Sequence, residues 1–186
     1  MSTSSYSHPS RNQADGTLET QASSTIVRFE RSLPHSIERV WAAITEPEEL
    51  VAWLAEAEID LRLGGSVRLH WLNSDGPARQ ATITQCEPPR LLEYRFEPRE
   101  DAQSFWGVLR WELQEEGNRC LLTLTHILPL SATHLPEKLA GWHTHLDFLA
   151  EALAGQVVDW PRWPKERWTR HHEHYCHEQL SSGNTR

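Results

Sequence analysis

The sequence predicts an α+β fold: a seven-stranded antiparallel sheet with one apolar face, closed by a single long helix near the C-terminus. Three observations carry this. From Ala57 to Ile127 apolar and polar residues alternate with period two, punctuated by turn signals and interrupted by no helical run. Leu139, Trp142, Leu146, Leu149 and Leu153 then step by three, four, three and four, the spacing of one helical face. A sheet with one apolar face needs a cover, and this helix supplies it.

The elements follow in order. Residues 1–24 are rich in Ser, Thr, Gln and Asn, have almost nothing to bury, and are expected to be disordered. TIVRFERSL is the first strand, closed by Pro34. Ser36 is placed to N-cap a short helix whose Ile37, Val40, Trp41 and Ile44 share a face. Thr45 and Glu48 have capping-box spacing, Pro47 fits a first turn, and Leu50, Val51 and Leu54 give a second short helix its apolar patch.

EIDLRL, SVRLHWL, RQATITQC, LLEYRFE, FWGVLRWEL and CLLTLTHIL are the remaining six strands. Turns separate them at Gly64-Gly65, Asp75-Gly76-Pro77, Pro88-Pro89, Pro98 to Asp101 and Glu116-Gly117-Asn118. Alternation puts Val67, Leu69, Trp71, Leu92, Tyr94, Phe96, Leu109, Trp111, Leu113, Leu122, Leu124 and His126 on the inner face. Arg68, Glu93, Arg95, Arg110, Glu112, Thr123 and Thr125 face water. Glu56, Glu58 and Asp60 mark a solvated edge. In the long helix, Pro136 lies near the start, Gly155 at the stop, and His143, Asp147 and Glu151 form a neighbouring stripe. Beyond Gly155, Pro161 and Pro164 break the chain, and Pro164 can open a last helix with Trp168, His172 and Tyr175 on one side. This segment, 156–186, is expected to pack on the outside of a domain spanning 25–155 and to fray from Ser181.

Composition narrows the function classes. Eighteen Lys and Arg against 26 Asp and Glu give a formal charge of -8, with no clustered arginines, which argues against nucleic acid and anionic membrane as partners. Cys86, Cys120 and Cys176 are far apart and read as reduced thiols. No signal-peptide run or stretch of ~20 apolar residues occurs, so a cytoplasmic location is expected. Nine tryptophans suit both a packed core and the wall of a ligand cavity.

VWAAITEPEELVAWL, DLRLGG, EPPRLLEYRF, WELQEEGNRCLLTLTH and GWHTHLDFLAEALAG together resemble the heat-shock-protein-90 ATPase activator C-terminal-domain-like proteins. These belong to the SRPBCC or START-like superfamily, which shares the birch-pollen-allergen fold. The resemblance covers about residues 25–155. It implies a helix-grip architecture, in which the curved sheet wraps the long helix and leaves a cavity between them. The implied walls are Leu69, Trp71, Tyr94, Phe96, Leu109, Trp111, Leu122 and Leu124 from the sheet, with Trp142, Leu146 and Leu149 from the helix.

Among polar candidates, His126 continues the inner face of its strand, where an imidazole can bond a ligand oxygen or act as a base. The competing assignment is a half-buried histidine bonded to a backbone carbonyl, since no carboxylate is in view to orient it. His143 and His145 point to opposite sides of a helix, cannot share a metal, and are expected at the rim. In HHEHYCH, His172 and Cys176 form an i, i+4 pair, and His171, His174 and His177 step by three. Such spacing supplies at most part of a zinc site, so a solvated helix is the expectation and no cofactor is called for. No G-x-S-x-G, Walker or dinucleotide motif is present.

Three readings follow. The first is a module that binds a small hydrophobic molecule between sheet and helix. The second is a chaperone-associated interaction protein with an exposed patch at Trp160, Trp163 and Trp168, and with a strand edge or aromatic tail suited to a homodimer. The third is a cyclase- or hydrolase-type enzyme using His126.

Overall fold

A computed structural model describes residues 15–98, 107–130, 132 and 134–183. The chain runs β1 (Thr17–Thr20), β2 (Ser24–Leu33), α1 (Ile37–Thr45), α2 (Pro47–Leu50), β3 (Glu56–Ile59), β4 (Ser66–His70), β5 (Arg79–Glu87) and β6 (Leu91–Phe96). It continues with β7 (Val108–Glu116), β8 (Arg119–Pro129), α3 (Leu135–Leu153), a 3-10 turn (Trp160–Arg162) and α4 (Lys165–Gly183). One antiparallel sheet holds all eight strands in the order β1-β2-β8-β7-β6-β5-β4-β3. Consecutive strands pair as a meander from β3 to β8, and β2 closes onto β8 with Val27 opposite His126 and Phe29 opposite Leu124. A register shift between Ile83 and Gln85 bends β5 where the sheet curves.

The eighth strand is the one that composition assigns to a disordered tail. Thr17–Thr20 are all exposed and have no apolar face, so burial cannot select them. Edge pairing does, with Thr17 opposite Arg28 and Thr20 opposite Thr25. The Gly16 N–H further donates to the Tyr175 hydroxyl at 2.8 Å, tying the strand to α4. The expected turn at Pro98 to Asp101 lies largely outside the described residues, as do Phe105 and Trp106 and the last three positions of the chain.

Ser36 caps α1 through a bond from the Arg39 N–H at 3.2 Å. Thr45 does not cap α2: its hydroxyl donates back to the Trp41 carbonyl at 2.7 Å, and Glu46 takes the cap position without a side-chain bond. Thr45 is buried, so the intrahelical bond satisfies a hydroxyl that water cannot reach. At the far end, α3 closes with the Gly155 N–H on the Ala152 carbonyl and the Gln156 N–H on the Glu151 carbonyl, both at 2.9 Å. That pair of bonds is a Schellman motif, and Gly155 takes the left-handed conformation it requires (φ 87°).

The inner face assigned by alternation is buried throughout, and α3 lays Leu139, Trp142, Leu146, Leu149 and Leu153 against it. Two outward positions differ from expectation. Thr123 and Thr125 are buried, because their cross-strand neighbours are Glu30 and Glu112, and Arg28 and Arg110. The stems of those long side chains cover the short threonines. The extension after Gly155 covers the back of α3. The Val158 N–H donates to the Ala52 carbonyl at 3.0 Å and the Trp160 indole to the Val51 carbonyl at 2.7 Å. Trp160 also meets Phe148 edge-on at 6.2 Å, and the Arg167 guanidinium lies 5.1 Å from the Phe148 ring centre.

Candidate functional site

A cavity of about 420 Å³ opens between the segment joining β4 to β5 and the first half of α3. Trp71, Asn73, Ser74, Gly76, Pro77 and Arg79 form one wall. Lys138, Gly141, Trp142 and His145 form the other, spaced i, i+3, i+4 and i+7 so that one helical stripe faces the space. His126 lines it from β8, and His134 and Glu137 border it where α3 begins. Gly141 contributes room: a Cβ there would meet no heavy atom within 4 Å.

Of the wall residues expected from the sequence, Trp71, His126 and Trp142 line this cavity. Leu69, Tyr94, Phe96, Leu109, Trp111, Leu122, Leu124, Leu146 and Leu149 are buried in the core instead and are not among its lining. Large rings fill the space beneath it. Trp53 meets Trp111 edge-on at 6.1 Å, Trp111 meets Trp142 at 5.8 Å, and Trp142 meets His126 at 5.8 Å. The Trp111 indole reaches the Tyr94 hydroxyl at 3.4 Å, and burial pushes the Tyr94 phenol well above its ordinary range.

Two histidines give the cavity fixed polarity. The Trp142 indole N–H donates to His126 Nδ1 at 2.9 Å, so that nitrogen carries no proton and Nε2 does. His126 thus has an indole as its orienting group, and its one ring lone pair is already occupied. It is a hydrogen-bond donor rather than a base. His145 has the opposite tautomer: its Nδ1–H donates to the Trp53 carbonyl at 2.9 Å, and Nε2 accepts from Asn73 Nδ2 at 3.4 Å. Burial lowers the His145 pKa to about 4, outweighing the raising effect of the Trp53 carbonyl, so the ring is neutral at pH 7.

The sequence places His143 and His145 at the rim, whereas both are 5% exposed. The extension accounts for this at His143, by covering the side of α3 that faces away from the sheet, whereas His145 packs among Trp53, Trp142, Phe148 and Trp160. His143 Nδ1 bonds the Tyr175 hydroxyl at 2.9 Å, and the His143 ring stacks on His171 with centres 3.8 Å apart. Burial, followed by the neighbouring His171, lowers the His143 pKa to about 4. Arg31 is buried on the inner face of β2, a position that alternation alone does not distinguish. Its charge lies close enough to Asp147, Tyr175 and Asp15 to couple with them, although burial is the larger influence and lowers its pKa. A buried arginine within an otherwise apolar strand face is the signal that marks such a position.

Two clusters bring metal-type ligands together among the described residues: His143, Asp147 and His171, and the exposed Asp15, His174 and Glu178. In the first, His171 Nε2 lies 3.0 Å and His143 Nε2 4.0 Å from the Asp147 carboxylate. The face-to-face stacking of the two rings would have to open for both nitrogens to converge on one ion. The cluster as it stands is a hydrogen-bonded seam between α3 and α4. His172 and Cys176 approach to 3.6 Å, with His172 stacked on Trp168 at 4.8 Å and 3.8 Å from Glu137. Trp160, Trp163 and Trp168, expected as an exposed patch, turn toward the core and are partly buried. Burial pushes the Cys120 thiol up to about 11, which leaves it protonated and unreactive.

The family model described as Activator of Hsp90 ATPase homolog 1-like protein matches residues 34–154. The chain belongs to this family. CalU16 from Micromonospora echinospora is 24% identical, with a TM-score of 0.66 over 87% of this chain and 95% of that one. A conserved protein of unknown function from Enterococcus faecalis is 20% identical, with a TM-score of 0.68 over 91% and 93%. The Aha1 dimer from Colwellia psychrerythraea is 16% identical, with a TM-score of 0.58 over 69% and 95%. These likenesses establish the helix-grip fold. No curated protein matches the chain significantly.

Proposed function

We propose that this protein binds a small, mainly apolar molecule in the cavity between the β4–β5 segment and α3. The observation that carries the reading is the pairing of an apolar wall, Trp71 and Trp142, with two histidines of locked and opposite hydrogen-bonding character. Ligand sites are generally apolar with a few placed polar groups, and about 420 Å³ lies within the range such sites occupy. Asn73 and Ser74 line the same cavity, where an amide and a hydroxyl suit a ligand carrying a hydroxyl or carbonyl group.

The enzyme reading is less favoured. A base needs a free lone pair, and that of His126 accepts from Trp142. The partner reading draws on the family's name and on exposed Leu61 and Leu63 in the loop after β3. The inward turn of Trp160, Trp163 and Trp168 removes the larger patch it relied on. No described helix is long and apolar enough to cross a membrane.

Native mass spectrometry of gently purified protein tests the proposal. The expected result is a reproducible small-molecule adduct that is absent from Gly141→Phe, a variant whose ring would occupy the open space at that position. An adduct retained by a folded Gly141→Phe would place the ligand elsewhere and contradict the assignment.

A further inference from the structure

We propose that the ligand is an elongated molecule with one apolar end against Trp71 and Trp142, a polar group near its middle, and a second apolar end that passes α3 at Gly141 to reach Trp163 and Trp168. This rests on the binding reading above and adds the shape and chemical class of the occupant. A second cavity, of about 470 Å³, lies beside the first, and Asn73, Ser74 and Gly141 belong to the walls of both. Thr144 continues its lining on α3, and Trp163, Trp168 and Thr169 close it from the extension. Successive helical residues turn by about 100°, so Gly141 falls about midway between two directions on α3. Lys138, Trp142 and His145 face the first cavity on one side of it, and Thr144 faces the second on the other. A side chain at position 141 would stand on the boundary as a partition. Glycine leaves the boundary open, since a Cβ there would meet no heavy atom within 4 Å, and it does so in a helix interior, where glycine is otherwise unfavourable.

Polarity varies along this path. Pairs of indoles stand at both ends, and the Asn73 amide and Ser74 hydroxyl stand where the two spaces join. The complementary occupant is apolar at its ends and carries its hydrogen-bonding group between them. Trp163 and Trp168 are only partly buried by the protein itself, so an apolar group laid on them removes further indole surface from water. Both follow residue 154, where the family match ends, so the far lobe takes its apolar wall from the extension. The extension thereby gains a role beyond covering the back of α3.

Calorimetric titration of the full chain with N-benzylbenzamide, two rings joined through an amide, and N-methylbenzamide, which keeps the amide and one ring, tests the inference. The two-ring probe is expected to bind at least about tenfold more tightly, the effect of burying a further ring. That advantage should vanish in Trp168→Ala and in Thr169→Trp, which fills the far lobe from an exposed position on α4. Each variant is checked for an intact thermal transition, and the affinity for N-methylbenzamide should be unchanged in both. Equal affinity for the two probes would overturn the elongated ligand while leaving the binding reading in place. An advantage that survives in both variants would overturn the far lobe at Trp163 and Trp168. Failure of both probes to bind would count against both readings.

Discussion

Trp142 does two jobs with one side chain. Its ring packs edge-on against Trp111 and His126, and its N–H fixes the His126 tautomer. Trp142→Phe keeps most of the apolar area but leaves a buried acceptor unsatisfied, and it is expected to cost about 1–3 kcal/mol in urea unfolding. Nitrogen-15 spectra of the imidazole should then show His126 losing its single tautomer. His145 gives a pH dependence of definite sign. Its pKa is lowered from 6.5 to about 4 in the folded state, so between those values the unfolded chain binds a proton that the folded chain does not. Stability should therefore fall as pH drops from about 6.5 to about 4, by about 3 kcal/mol for this residue. His143, lowered likewise, adds to the slope. Denaturant titrations across that window should show a shallower slope in His145→Gln, whose amide can keep the bond to the Trp53 carbonyl. At this scale the sequence was a partial guide. His126 was legible because it continues a run of period two, but the burial of His143 depends on a partner helix some 30 residues away, and that of His145 on Trp53 and Trp160, none of which periodicity can place.

At the scale of elements, α3 was legible to within a residue or two, from its leucine spacing to the Gly155 stop. Its interior glycine was not explained by spacing. Gly141 costs helix stability, and nothing in the structure would clash with a Cβ there, so Gly141→Ala is expected to raise stability by about 0.5–1 kcal/mol. If that variant also weakens ligand binding, room in the cavity accounts for the glycine. The extension after Gly155 is a second cover rather than a loose tail. Trp160 is partly buried and bonds Val51, so Trp160→Ala should cost about 2 kcal/mol in thermal or urea unfolding. An unchanged midpoint would mean that the extension contributes little to the domain. β1 escaped the sequence because edge pairing, unlike core packing, leaves no apolar pattern to read.

For the molecule as a whole, the order of elements and the inner face followed from alternation, whereas the cavity did not. The expected walls ran along the whole inner face. The deep end is instead filled by Trp53, Trp111, Tyr94 and the leucines, and the cavity lies toward the β4–β5 segment and the start of α3. Residue volume and curvature decide that division, and neither is encoded in a binary pattern. The central claim is that a small molecule occupies this remaining space. The most direct test is to follow the nine indole N–H resonances while titrating 2-naphthalenemethanol and 2-naphthoate into the protein. The signals of Trp71 and Trp142 are expected to shift while those of Trp53 and Trp160 hold. Shifts confined to Trp160, Trp163 and Trp168, or no shift at saturating probe, would contradict it.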